Sequence, residues 1–253
     1  MNIKDVTIII PTSVSPVHPS TEIIDEVVRS VRQYFPDNEI ILQVDGLRNE
    51  QAHRKDMYDE YKSKILWKSL HEWTNVLPII FDEHIHQSGM MKETINLIRT
   101  SLMFYIEGDI ALKDNLDIDW QQIMDILDSE KAYTVRFYTF NKVIEPNHMY
   151  LMGDQEGDLI QSHQWSQQPH VSHVWYYRNV VLPNTAPKLF IEDKFYGKLL
   201  SDCKDSVDGW DQHRLWLYNP TNKDDIRVVN NLDGRRGLKK FTDDDEAWGL
   251  TEA

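Results

Sequence analysis

One cysteine in 253 residues, Cys203, excludes an intramolecular disulfide framework, and a lone thiol makes a reducing compartment the simpler expectation. Long apolar runs are missing as well. Lys4 and Asp5 precede only a short apolar run ending at Pro11, which is neither a signal peptide nor a span, so a soluble, cytoplasmic chain without stable membrane insertion is expected. Positive charge is scarce: 27 Lys and Arg against 41 Asp and Glu give a net charge of −14, which disfavours a broad nucleic-acid footprint and shifts the expectation to small-molecule or glycan ligands. No period of about 20–50 residues and no low-complexity tract is visible, which sets repeat architectures aside. What is present is a chain 41% hydrophobic, enough to bury the core of one large α/β domain over residues 1–253.

Val6-Thr-Ile-Ile-Ile10 is a β-branched run that Pro11 should stop, followed by a polar loop from Thr12 to Pro19. Ser20 caps a helix whose Ile23, Ile24, Val27, Val28, Val31 and Phe35 recur at helical spacing before Pro36. Glu39 to Val44 reads as a second strand closed by Asp45-Gly46, Asn49 to Leu70 as a mostly exposed helix, and Val76 to Phe81 as a third strand that Pro78 pushes to a sheet edge. A helix from Ser88 through Thr100 leads into the next strand; a helix over Leu116–Leu127 and a strand over Ala132–Phe140 follow. This alternation predicts a Rossmann-type, mostly parallel sheet flanked by helices, with residues 1–115 as a ligand-binding half and 116–253 as a less regular half.

The organising stretch is Leu102 to Leu112. Leu102 to Ile106 is apolar throughout, as a strand covered on both faces is, and it breaks at Glu107-Gly108-Asp109. In open α/β sheets ligands bind at the carboxyl ends of strands, and two carboxylates presented together there are costly unless a cation or donors compensate them. Gly108 lets a ligand approach the backbone. A tight turn bearing two solvated acids would look the same.

Strand 1 with Ile10-Pro-Thr12, strand 2 ending at Asp45, and a helix and strand running into Glu107-Gly-Asp109 together resemble the GT-A fold glycosyltransferases over roughly residues 6 to 200. The resemblance implies a nucleoside site at Pro11, Thr12 and Asp45, with Gly108 beside it. It also implies an Asp-X-Asp-type metal motif at Glu107 and Asp109 holding Mn2+ or Mg2+, with glutamate in place of the first aspartate. Inverting members place a Glu-Asp pair where Glu192-Asp193 follows Leu189-Phe-Ile191, so Asp193, with Glu192 beside it, would be the base that meets the acceptor. The residues alone leave a second reading open, carboxylates favoured at a helix N-terminus. Where relatives complete the metal shell with a C-terminal histidine, Asn230 and Asn231 stand here.

Asn231-Leu-Asp-Gly-Arg-Arg-Gly237 puts Arg235 and Arg236 on a flexible turn that can grip a diphosphate bidentately as a lid; Asp-Gly is equally a plain hairpin signal. His84 with His86 would share a strand face and His170 with His173 a helix face, but without further ligands surface or core positions are the expectation. Trp165, Trp175, Tyr176, Tyr177 and Trp210 fall in the acceptor half and read as core or as stacking platforms.

The expected function is a metal-dependent hexosyl- or pentosyltransferase, moving a sugar from a nucleotide-diphosphate donor, a UDP-sugar first, to an acceptor hydroxyl on a glycan, another hydroxyl-bearing molecule or a modified DNA base. The rivals are a nucleotidyltransferase acting on a sugar phosphate and a non-catalytic nucleotide- or glycan-binding module. The nucleotidyltransferase calls for a glycine- and arginine-rich loop after strand 1, and Thr12 to Pro19 contains no glycine.

Overall fold

The structure is a computed structural model and describes residues 3–139, 151–203, 207–220 and 226–232. Its first half follows from the hydrophobic pattern. β1 (Val6–Thr12) is buried along nearly its whole length, and α1 (Glu22–Arg32) lays Ile23, Ile24, Val27, Val28 and Val31 into the core, each worth roughly 1.5–3 kcal/mol of burial. Glu22 and Asp25 in its first turn and Arg29 and Arg32 in its last suit the helix dipole, and Ser20 Oγ accepts the Glu22 N–H at 3.2 Å.

β2 (Ile40–Val44), α2 (Lys55–His71), β3 (Val76–Ile80), α3 (His86–Thr94) and β4 (Leu102–Tyr105) follow in βαβ order. The strand order begins β3-β2-β1-β4, and these four strands are mutually parallel. The chain therefore walks outward from β1 through β2 to β3, then returns to the far side of β1 as β4. That reversal opens a crevice between the carboxyl ends of β1 and β4.

β5 (Ile110–Leu112) leaves the sheet, α4 (Trp120–Asp128) is capped by Asp119, whose Oδ1 accepts the Gln122 N–H at 2.9 Å, and β6 (Thr134–Arg136) rejoins the sheet. β7 (Leu151–Glu156) and β8 (Leu159–Ser162) form a hairpin around Gly157, whose φ of 58° favours glycine. β9 (His170–His173), the short α5 (Val174–Tyr176), α6 (Glu192–Cys203), α7 (Val207–Asp211), β10 (Leu215–Tyr218) and β11 (Val229–Asn231) complete the described elements. The sheet continues β4-β9-β6-β10-β8-β7 with β9 and β8 running against the other strands, so it is mostly parallel, and one core draws residues from both halves of the chain.

Several expectations need correction. Pro11 lies inside β1, opposite Gln43, because its missing N–H faces β4 beyond that strand's last paired residue, Tyr105. α3 ends at Thr94 rather than Thr100: Arg178 takes the Ile95 carbonyl at 3.1 Å and the Leu97 N–H folds back onto Thr94 O, although Ile95 and Ile98 remain buried as the periodicity required. His170 and His173 sit three apart on β9, so they do not share a face. Trp165, Tyr176, Tyr177 and Trp210 are buried in the core, with Trp175 alone of that group exposed. The hairpin β7–β8 was not among the expectations, although Gly157-Asp158 between its strands is a two-residue turn signal. Pro78 behaves as expected: β3 is the edge strand, and since the Phe81 N–H points inward to Val44 O, the alternate position at Pro78 faces outward, where no donor is needed. No helix among the described residues is long and apolar enough to cross a membrane.

Two buried histidines make the fold acid-sensitive. His170 donates from Nδ1 to Gln168 O (2.7 Å) and accepts from the Tyr177 hydroxyl at Nε2 (2.8 Å); burial first, with Arg136 adding to it, pushes its pKa down to about 4. His18 is pushed down to about 4 by burial and by Arg54. Both have folded pKa values below the unfolded value of 6.5, so the unfolded chain binds more protons between pH 6.5 and 4. Their contribution is whole above pH 6.5 and is lost as pH falls through that window, by at most ~3 kcal/mol each. Urea unfolding at pH 7 and pH 5 should therefore give a lower midpoint at pH 5; equal midpoints would mean the two rings protonate freely in the folded state.

Candidate active site

A cavity of about 400 Å³ occupies the β1/β4 crevice. Its floor is made by the strand ends: Pro11 and Thr12 from β1, then Glu107, Gly108 and Asp109 after β4. The chain stays bonded to β1 past the end of β4, with Ile106 N–H on Ile9 O (3.0 Å) and Gly108 N–H on Pro11 O (2.9 Å). A Cβ on Gly108 would lie 2.9 Å from both Pro11 O and Thr12 Cβ, so the glycine is required by the approach of β1 itself. That is a different reason from the ligand approach expected of it.

One wall is aromatic. His18 stacks on Tyr61 with centroids 3.8 Å apart and 15° between planes, and Tyr58 continues the stack behind. Its Nδ1 accepts the Ser15 N–H at 3.1 Å, which leaves the proton of the neutral ring on Nε2 as a donor.

The opposite wall is organised by Asp45. Its Oδ1 accepts the N–H groups of Gly46 and Ile85, each at 2.9 Å; Oδ2 accepts that of His86 at 3.1 Å and has His84 Nδ1 2.6 Å away. Three backbone N–H groups therefore occupy this carboxylate. Asp45 thus lines the cavity and at the same time holds the 84–86 segment in place. Gly46 lets this happen: a Cβ there would lie 2.0 Å from the Glu83 carbonyl carbon. The segment in turn carries the rim, since Phe190 packs edge-on against His86 at 4.4 Å, and Ser88 at the start of α3 bonds Ala186 O at 2.8 Å.

The two acids on the floor differ. Glu107 is pushed up to about 8, by burial first, then by the Asp109 carboxylate, with Glu192 adding to it; a 2.6 Å hydrogen bond from Gln87 Nε2 opposes the shift. Asn231 also reaches the cavity, because β11 pairs antiparallel with β5 and the Leu232 N–H bonds Asp109 O at 2.8 Å. A carboxylate pair short of positive charge, with an amide side chain beside it, is a hard-oxygen donor set suited to Mg2+ or Mn2+. Among the described residues no three His, Cys, Asp or Glu side chains converge as a metal cluster, so a cation here would draw its remaining ligands from phosphate or water.

Glu192 and Asp193 part company. Glu192 is half-buried, its Oε2 accepting the Gln167 N–H at 2.8 Å, and its charge is felt at Glu107, Tyr105 and Arg136. Asp193 is exposed and accepts the Phe190 N–H at 3.2 Å, a capping contact at the start of α6. Neither lines the cavity itself. Arg235 and Arg236 lie outside the described residues. His18, Gln87 and Phe190 were not anticipated as wall residues: nothing in their local sequence marks them, and only the folding of separate segments brings them to the crevice.

By sequence, no family model and no curated protein matches this chain. Solved structures do resemble it. GalNAc-T7 with UDP, GalNAc and Mn2+ superposes with a TM-score of 0.53 at 11% identity, over 84% of this chain and 42% of that one. Apo UDP-glucose pyrophosphorylase superposes at 0.51 and 9% identity, over 91% of this chain and 93% of that one. S. aureus TarS in complex with UDP-GlcNAc is similar at 0.49 and 10% identity, over 84% of this chain and 55% of that one. The chain thus spans about half or less of the two transferases. At such identities the likeness concerns fold alone, and with its β3-β2-β1-β4 order and crevice the chain has a GT-A-like fold.

Proposed function

We propose that this chain is a nucleotide-sugar-utilising enzyme, a metal-dependent glycosyltransferase that takes a sugar from a UDP-sugar to an acceptor hydroxyl. The observation that carries the proposal is the Glu107–Asp109 pair, two carboxylates presented on the floor of the β1/β4 crevice where Glu107 is held above its ordinary range by burial and its neighbour. Asp109 and Glu107, with Asn231, would hold the cation, which when bound neutralises the diphosphate leaving group. Thr12 and the aromatic wall of His18 and Tyr61 would receive the nucleoside, and Arg235 and Arg236 the diphosphate. Glu192, the interior member of its pair, would take the acceptor proton. GalNAc-T7 and the pyrophosphorylase share the fold almost equally, so the fold does not choose between transfer to a hydroxyl and nucleotidyl transfer. The loop after β1 favours the former. Residues 13–18 and Ser20 line the crevice without a glycine, lysine or arginine among them, a poor cradle for a triphosphate.

A thermal-shift panel of UDP, GDP, CDP and TDP, each with and without manganese, tests the proposal. UDP with manganese should raise the melting temperature most, since ligand at a hundred times its Kd stabilises by about 2.7 kcal/mol. Slow release of UDP from a UDP-sugar should accompany it. A panel in which no nucleotide stabilises the protein would overturn the reading.

A further inference from the structure

Arg48 is the only lysine or arginine among the described residues that line the cavity, and it is exposed there. Its guanidinium forms no hydrogen bond or ion pair among the described residues. Leu47 and Glu83 form a parallel bridge beyond the ends of β2 and β3, and the Arg48 backbone stays extended at φ −72° and ψ 149°. Arg48 and His84, one residue further on, therefore come side by side on the alternate face, and both line the cavity. The His86 ring is held below its ordinary value by burial first, then by His84 and by the Arg48 charge, which keeps the guanidinium on this wall. His84 leaves 19% of its side chain exposed, and its Nε2 meets no group among the described residues and is not enclosed. Its Nδ1 lies 2.6 Å from Asp45 Oδ2, off the line of a straight hydrogen bond. Both Asp45 oxygens already accept backbone N–H groups, and two lone pairs at that distance repel, so in the neutral ring the proton belongs on Nδ1 and the open Nε2 accepts. A group that only donates thus stands beside one that accepts.

The place of this pair in the crevice says which part of a ligand reaches it. The floor acids follow β4, His18 stands in the loop after β1, and Arg48 and His84 follow β2 and β3. In the order β3-β2-β1-β4, the end of β2 is two strands, roughly 10 Å, from the acids. A nucleotide whose diphosphate sits at the acids runs through its ribose toward that end, and a pyrimidine joined to ribose at N1 arrives with its N3 and C4 edge leading. We propose that Arg48 and His84 read this edge, the guanidinium donating to a 4-oxo group and His84 Nε2 accepting the N3–H, so that the site takes uracil and rejects cytosine. The inference rests on the nucleotide-sugar reading above. Cytosine reverses both partners: its 4-amino group meets a donor and its bare N3 meets an acceptor, and a site built for one hydrogen-bonding pattern rejects the other.

The test is titration calorimetry, with manganese, of UDP and CDP against the wild type, Arg48→Met and His84→Phe. The two nucleotides share ribose and diphosphate, so contacts to those parts cancel in the ratio of their affinities. The wild type should prefer UDP by roughly 10- to 100-fold. Each variant should lose about that factor for UDP while CDP changes less than about threefold, so the preference collapses. Arg48 holds no partner in the fold, so its variant carries the comparison if His84→Phe disturbs the 84–86 segment. Equal losses of UDP and CDP in Arg48→Met would put the guanidinium on the phosphates or over the face of the base and overturn the inference. A wild type indifferent to the base, or a preference that Arg48→Met leaves unchanged, would overturn it as well. Failure of the wild type to bind either nucleotide would instead bring down the nucleotide-sugar reading, and this inference with it.

Discussion

Asp109→Asn is expected to abolish manganese-dependent UDP binding without loss of stability. The substitution keeps the shape of the side chain and leaves the backbone bonds of the turn in place: Leu232 N–H on Asp109 O at 2.8 Å, and Ile110 N–H on Glu107 O at 3.0 Å. What disappears is the charge. Losing one charged contact to a bound cation corresponds to about 1.5–3 kcal/mol, or roughly 10- to 150-fold in affinity. The same charge is one cause of the raised pKa of Glu107, so its removal should let Glu107 fall back toward the ordinary carboxylate range. The unliganded variant should then melt at or above the wild-type temperature while its response to UDP and manganese vanishes. Glu107→Gln should do less to binding, because Glu107 is already biased toward its neutral form and Gln87 remains beside it. A wild-type thermal shift in Asp109→Asn would remove the cation from this crevice.

The location of that crevice was legible in the sequence because burial and chemistry change abruptly there. An uninterrupted apolar run from Leu102 to Ile106 demands a strand covered on both faces, and the acids that follow can only sit at its end. The βαβ order was equally open to reading, since the stripe of α1 and the β-branched runs of β1 and β2 obey local periodicity. Asp45 shows the limit. The sequence marks it as an acid at a strand end, but whether its carboxylate meets a ligand or the protein depends on a segment about forty residues on, Ile85 and His86, whose N–H groups no pattern announces. Gln87 and His18 are hidden for the same reason, and Pro11 within β1 shows a local rule yielding to the pairing of its neighbours. The less regular half was less legible because short strands such as β6 and β9 gain their order from the sheet they join rather than from their own three or four residues.

The Glu192–Asp193 pair turns this limit into a measurement. Resemblance alone favours Asp193 as the base, whereas the geometry gives Asp193 an exposed capping contact with Phe190 and gives Glu192 the interior place, near enough to Glu107 to raise its pKa. Glu192→Gln is expected to leave UDP and manganese affinity nearly unchanged and to lower sugar transfer by ~10²–10⁴-fold, the range of a lost acid–base group. The glutamine retains an oxygen for the Gln167 N–H, which Glu192 now accepts at 2.8 Å, so the fold should survive. Asp193→Asn should do the reverse, with about 0.3–1 kcal/mol of stability lost from the start of α6 and turnover little changed. Melting, UDP affinity and transfer, measured on both variants, separate the two roles. If Asp193→Asn loses transfer and Glu192→Gln does not, the exposed carboxylate is the base and the acceptor must approach from the solvent face of α6. If neither variant loses transfer, a carboxylate base gives way to a retaining route in which the leaving phosphate itself assists the acceptor.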